Sequence, residues 1–192
     1  MTKSESKFYN TAIKMQNALI ELLEKKDFSD ISIVEICQKA DVNRSTFYSH
    51  YQNTYDLLTE THQSFIKRFF DSFDNDFTSI SDLSADESIF ISPEYLVPYL
   101  EFVKANRRIF KVYMNNLNQF NVEELYSLFF DKVFVPVFDK NGITDKTLIN
   151  YMARFYLQGI TAITTEWINN NCEDDTLFIC EIIILCVRPS FH

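Results

Sequence analysis

The stretch from Ile31 to Leu58, ISIVEICQKADVNRSTFYSHYQNTYDLL, limits what this chain can fold into more than any other. Ile33, Ile36, Cys37 and Ala40 stand at i, i+3, i+4 and i+7, so one apolar stripe runs down a short helix. Ser32 with Glu35 three residues on is the reciprocal capping pair that opens such a helix. Asp41-Val42-Asn43 is too short and polar for a helix interior and reads as a turn, with Val42 directed back into a small core. Asn43 can cap the next helix through its side-chain oxygen. In that helix Phe47 and Tyr51, four apart, face inward. Arg44, Ser45, Thr46, Tyr48, Ser49 and His50 are left facing out.

A solvated helix face ordinarily carries Glu and Lys. This one carries hydroxyls, a phenol, an imidazole and an arginine, and no acid occurs from Val42 to Tyr55. Such groups hydrogen-bond phosphate oxygens and base edges. An acid-free helix presented by a tight turn from a packed partner has the form of a helix-turn-helix reader of the major groove. The bland alternative is a polar surface on a small three-helix unit, since the same geometry occurs in proteins that bind no DNA.

The residues also carry a family likeness. Ile36, Ala40, Val42, Thr46-Phe47-Tyr48, His50-Tyr51, Asn53 and Asp56-Leu57-Leu58 stand in one register, after an amphipathic first helix. Together they resemble the DNA-binding domain of the TetR/AcrR family of bacterial transcriptional regulators. Three positions depart from the family pattern. Asp41 replaces the usual turn Gly, at a cost in a left-handed conformation that Asp tolerates better than most. Asn43 replaces a Ser or Thr cap of equivalent chemistry. Thr54 replaces a Lys that meets a phosphate in the family, so one electrostatic contact becomes a hydroxyl. The resemblance implies an all-α, TetR-like fold of about nine helices. A three-helix helix-turn-helix domain is expected over residues 1–58, and a helical dimerisation and effector domain over 59–192. The candidate DNA-facing residues are Ser32, Asn43, Arg44, Ser45, Thr46, Tyr48, Ser49, His50 and Thr54.

Elsewhere the sequence favours helices. Two Gly and four Pro among 192 residues are few, and 46% hydrophobic content supplies a core. No apolar run is long enough to span a membrane and the N-terminus lacks a signal peptide's apolar segment, so a cytoplasmic location is expected. The four cysteines, Cys37, Cys172, Cys180 and Cys186, show no metal-ligand spacing and read as buried thiols. Residues 1–68 balance 9 basic against 9 acidic residues, whereas the remainder holds 9 against 18, which accounts for the net charge of −9. That asymmetry fits a neutral DNA-reading head and an acidic body turned away from phosphates.

Phe8–Lys26 reads as the first helix, with Ala12, Met15, Leu19, Leu22 and Leu23 inward and Lys3 and Lys7 preceding it. Phe28 and Ile31 close the small core. A fourth helix starts at Asn53-x-x-Asp56 and runs to about Phe77, with Phe65, Phe69 and Phe73 at four-residue spacing and His62 at a surface or boundary position. Residues 79–92 read as a loop. Helices follow from Pro93 to about Asn106 and over Arg107–Asn116. A longer one runs from Asn121-x-x-Glu124 to a stop at Gly142, bent by Pro136. The last two span Thr144 to about Asn170 and Thr176–Val187, the latter stopped by Pro189.

The final helix is apolar nearly all round and needs cover on both sides, which a second copy supplies most simply. A homodimer through the last two helices is therefore expected, with Gly159 permitting close helix approach. The stretches around Asn106-Arg107-Arg108-Ile109-Phe110 and Glu166-Trp167 resemble the C-terminal region of a TetR subgroup that includes regulators associated with dihydroxyacetone kinase genes. Tyr95, Tyr99, Phe102, Phe110, Tyr113, Phe129, Phe130, Phe155 and Tyr156 can line a pocket, but aromatics at helical spacing are more often core. They identify no ligand.

The chain lacks a Glu-x-x-His pair and a Gly-rich phosphate loop and has only three His, so no enzyme, metal or cofactor is expected. The expected function is sequence-specific regulation of transcription as a homodimeric repressor on a near-palindromic operator, released by a small-molecule effector. The alternative is a co-regulator of the same fold that acts mainly through a protein partner.

Overall fold

The computed structural model describes residues 2–71, 91–116, 119–120, 122–140 and 142–187. The chain divides into two compact units, Met1–Arg68 with Asn115–Phe120, and Phe69–Met114 with Asn121–His192. The described regular elements are helical, and no described helix is long and apolar enough to cross a membrane.

The first unit holds α1 (Lys3–Leu23), a 3-10 turn (Phe28–Asp30), α2 (Ile33–Ala40), α3 (Arg44–His50) and most of α4 (Thr54–Asp71). Helix α1 begins well before Phe8, because Thr2 and Glu5 form a capping box: the Glu5 N–H donates to Thr2 Oγ1 and the Thr2 N–H to Glu5 Oε2. Lys3 and Lys7 therefore lie within the helix and do not precede it. Ala12, Met15, Leu19 and Leu23 are buried, as the periodicity predicts, and Leu22 is half-buried. Phe28, Ile31, Ile36, Cys37, Ala40, Phe47, Leu57 and Leu58 of the same unit are buried as well. Two ion pairs tie α2 to its surroundings, Lys26–Glu35 at 2.6 Å and Lys39–Glu21 at 2.7 Å. Partly exposed pairs of this kind contribute little individually, so the apolar contacts hold the unit. His62 is buried and not at the surface, with its ring stacked 5.6 Å from Phe120.

The second unit contains α5 (Pro93–Ala105), α6 (Arg107–Asn115), α7 (Val122–Phe129), a π turn (Phe130–Phe134), α8 (Val135–Lys140), α9 (Lys146–Asn169) and α10 (Thr176–Val187). Pro93 opens α5 at its first turn, where a missing N–H costs nothing. The expected single helix up to Gly142 is interrupted by the π turn, in which the Val135 N–H reaches back to the Phe130 carbonyl. Pro136 follows at once; having no N–H, it cannot restore the α-helical bond to Lys132. Gly142, at φ 78°, follows the end of α8, and the Ile143 N–H closes on the Phe138 carbonyl at 2.9 Å. Asp145 caps α9 through the Thr147 and Leu148 amides, so the helix starts at Lys146 and not at Thr144.

Val133, Phe134, Val137, Phe138, Ile149 and Ala153 form one core cluster, with Tyr95, Tyr126, Phe129, Phe130 and Tyr156 packed against it. Of the aromatics considered for a pocket, Phe110 and Tyr113 are buried, whereas Phe155 is 65% exposed and belongs to the surface. Trp167 is buried and donates its Nε1–H to the Asp174 carbonyl at 3.1 Å, pinning the turn between α9 and α10. Cys37, Cys172 and Cys180 are buried, but Cys186 is exposed, because it lies on the side of α10 away from Cys180. Among the described residues a Cβ on Gly159 would meet nothing within 4 Å, so no close approach among them explains that glycine. The predicted end of α4 near Phe77, Phe73, the 79–90 part of the loop, Asn121 and Pro189 lie outside the described residues.

Candidate nucleic-acid interface

The turn that presents α3 is built by hydrogen bonds of short sequence range. Asp41 takes the left-handed conformation, φ 54° and ψ 51°, at the position where the sequence lacks a glycine. The Val42 N–H reaches the Cys37 carbonyl at 3.0 Å, which closes the end of α2. Asn43 then starts α3: its Oδ1 accepts from the Thr46 N–H at 2.7 Å and from Ser45 Oγ at 2.6 Å.

Helix α3 buries one side chain fully. Phe47 is fully buried and meets Tyr51 and Tyr48 at ring distances of 5.7 Å. The opposite side displays Arg44, Ser45, Tyr48 and Ser49, all exposed, while Thr46 and His50 are half-buried. Arg44 Nη2 donates to Tyr48 Oη at 3.4 Å, and the guanidinium lies 6.0 Å from the Tyr48 ring centroid. The phenol hydrogen bond raises the Arg44 pKa further, so the fork stays charged. The Ser49 hydroxyl donates to the Thr46 carbonyl at 2.7 Å.

His50 differs from its neighbours. Its ring stacks on Phe8 of α1, with centroids 3.7 Å apart and planes 17° from parallel. Burial lowers its pKa below the ordinary 6.5, against a weaker opposing pull from Glu60. The imidazole is partly committed to packing. Nothing local in the sequence signals the Phe8 contact, which joins distant parts of the chain.

Ser32 and Thr54 sit at helix starts, as the sequence places them, but apart from the α3 group in chain position. Ser32 is exposed and engaged with Glu35: its Oγ donates to Glu35 Oε2 at 2.7 Å and accepts the Glu35 N–H at 3.3 Å. Glu35 also takes the Lys26 ammonium, and that bond, followed by the Ser32 contacts, holds its carboxyl at about 2. Thr54 is half-buried at the first position of α4. Before it, Asn53 Oδ1 accepts from the Tyr55 and Asp56 amides, and Asp56 Oδ2 accepts the Gln52 N–H. That reciprocal cap turns Asp56, the first acid after α3, toward the backbone. Tyr55, absent from the sequence-based candidates, is 64% exposed beside Thr54, with its ring edge-on to Phe28. Among the described residues no cluster of His, Cys, Asp and Glu could hold a metal ion.

The arrangement is a small packed unit that offers a cation, hydroxyls and a phenol on an acid-free helix. Known proteins agree with it in two stretches. Residues 17–61 match the bacterial regulatory proteins of the tetR family, and residues 92–188, just over half of the chain, match a transcriptional regulator C-terminal region. An uncharacterized HTH-type transcriptional regulator, YxbF of Bacillus subtilis (strain 168), is 42% identical over 45 residues. That match covers 23% of this chain and only 12% of that relative's length. Among solved structures, the fatty acid degradation regulator FadR from Bacillus halodurans superposes with a TM-score of 0.67 at 15% identity, over 95% of this chain and 97% of its own. The dihydroxyacetone kinase operon activator DhaS does so with a TM-score of 0.53 at 17% identity, over 92% and 93%. At these identities the two structures speak for the fold alone. The two family matches lie in one chain, and the second alone spans just over half of it: the chain belongs to the TetR family.

Proposed function

We propose that this regulator binds a near-palindromic operator as a homodimer and represses transcription there, with α3 in the major groove. Residues 1–58 form the reading domain in this proposal, and 59–192 the dimerisation and effector domain. Arg44, Ser45, Thr46, Tyr48 and Ser49 meet base edges and phosphates. Ser32, Asn43, His50 and Thr54 border them and approach the backbone. The observation that carries the reading is the one-sided burial of α3, which hides Phe47 and leaves Arg44, Ser45, Tyr48 and Ser49 exposed with no acid among them.

The dimer is proposed through α9 and α10. Leu148, Tyr151 and Phe155 stand at i, i+3 and i+7 of α9, all exposed, with Gly159 one turn further on the same side. Leu177, Phe178 and Leu185 are each more than half exposed on α10. A bare apolar stripe on two successive helices fits a self-complementary two-fold interface, and a glycine with open space beside it admits a partner helix. Release by a small molecule would require that the effector bind one state of the dimer better than the other.

Selection of bound sequences from random DNA, followed by gel-shift titration against salt, tests this. The expected result is a near-palindrome with half-site centres about one DNA turn, ~34 Å, apart, and affinity that falls steeply with salt. Enrichment of no sequence, with no salt-dependent shift, would favour the co-regulator that works through a protein partner.

A further inference from the structure

Helix α3 has one exposed cation, Arg44, and no carboxylate pairs with it among the described residues. The neighbouring hydroxyls are occupied. Ser45 donates its proton to Asn43 Oδ1 and Ser49 donates its own to the Thr46 carbonyl, so both offer mainly lone pairs outward. Arg44 spends one N–H on Tyr48 Oη and keeps the rest of its fork. The phenol one turn away thus acts as a strut that limits the rotamers of an otherwise mobile side chain. In the major groove only guanine presents two adjacent acceptors, O6 and N7. Adenine offers N7 beside a donor, thymine a single acceptor and a methyl group, and cytosine a donor.

We infer that Arg44 reads one guanine per half-site through a bidentate contact to O6 and N7, with Tyr48 as the residue that positions its guanidinium. This rests on the DNA-binding reading above and adds the base that is recognised. The competing target for the same fork is a phosphate, which carries no sequence information.

The test measures affinity of the full-length chain, Arg44→Ala, Arg44→Lys and Tyr48→Phe for the selected operator and its single base-pair variants, each over a range of salt. The unaltered chain is expected to prefer G·C at one position per half-site by roughly ten- to a hundredfold. Arg44→Ala should flatten that position alone, whereas Arg44→Lys should narrow the guanine margin without abolishing it, because an ammonium still donates to O6 and N7 but lacks the planar fork. Tyr48→Phe should keep guanine as the preferred base and narrow its margin a few-fold, with an unchanged melting temperature. Retention of every base preference by Arg44→Ala, with uniform weakening and a salt slope lower by about one, would place Arg44 on a phosphate and overturn the inference. An unaltered chain that shows no salt-dependent DNA binding would sink the regulator reading itself, and this inference with it.

Discussion

Helices α3 and α10 hide similar things and show opposite ones. Each buries apolar side chains against its own unit, Phe47 in α3 and Ile179, Cys180 and Ile183 in α10. On the outward side α3 offers a guanidinium, a phenol and hydroxyls, whereas α10 offers Leu177, Phe178 and Leu185. Water tolerates the first set without cost. The second set loses about 25 cal/mol for every Å² of apolar surface left wet. The buried sides account for folding; under the function proposed above, the outward sides meet different partners, a polyanion for α3 and another apolar surface for α10.

The largest effect expected is on the buried side of α3. Phe47→Ala should destabilise the first unit by about 3–5 kcal/mol, seen as loss of its cooperative transition in urea, whereas Phe178→Ala should leave unfolding of the monomer within about 0.5 kcal/mol. Equal losses would dissolve the distinction between hidden and displayed sides. Next comes the proposed interface. Phe155→Glu should weaken self-association by about 2 kcal/mol or more, read by sedimentation equilibrium, and should weaken operator binding in step as the paired heads separate. A chain that stays dimeric would move the interface elsewhere.

A smaller change sharpens the polar side of the comparison. Thr54→Lys at the start of α4 should tighten binding to any DNA and steepen the log–log salt dependence by about 0.9, one phosphate's worth. An unaltered slope would place that helix start away from the backbone. The smallest effect concerns Glu35, whose carboxyl stands at about 2 against an ordinary 4.5 because of Lys26 and Ser32. A depressed carboxyl supports the fold fully above pH 4.5 and loses that support as pH falls through about 2. Glu35→Gln should therefore make the melting temperature less steep between those limits. The group is solvent-exposed, so the difference should shrink further in high salt. Identical profiles would mean that the Lys26–Glu35–Ser32 contact is not kept in solution.

The starts of α2, α3, α4 and α10 were legible because caps act over two to four residues. Ser32 with Glu35, Asn43 with Thr46, Asn53 with Asp56 and Asp175 with Leu177 each satisfy an amide that the helix leaves open. The early start of α1 obeys the same rule through Thr2 and Glu5, a pair that stands among other polar residues. The π turn was harder to read. Pro136 signals a disturbance, but whether the backbone bends or widens depends on how Val133, Phe134 and Val137 settle against Ile149 and Ala153.

What the sequence determined by itself was the local grammar: helix starts, the left-handed turn at Asp41, the inward pair Phe47 and Tyr51, and the acid-free outer face of α3. Hydrogen bonds and periodicity of that kind need only neighbours along the chain. The tertiary structure alone decided that His50 leans on Phe8, that His62 is buried beside Phe120, and that Phe155 and Cys186 are left bare. Burial is a property of which distant segments meet, and no spacing within one helix specifies its neighbour.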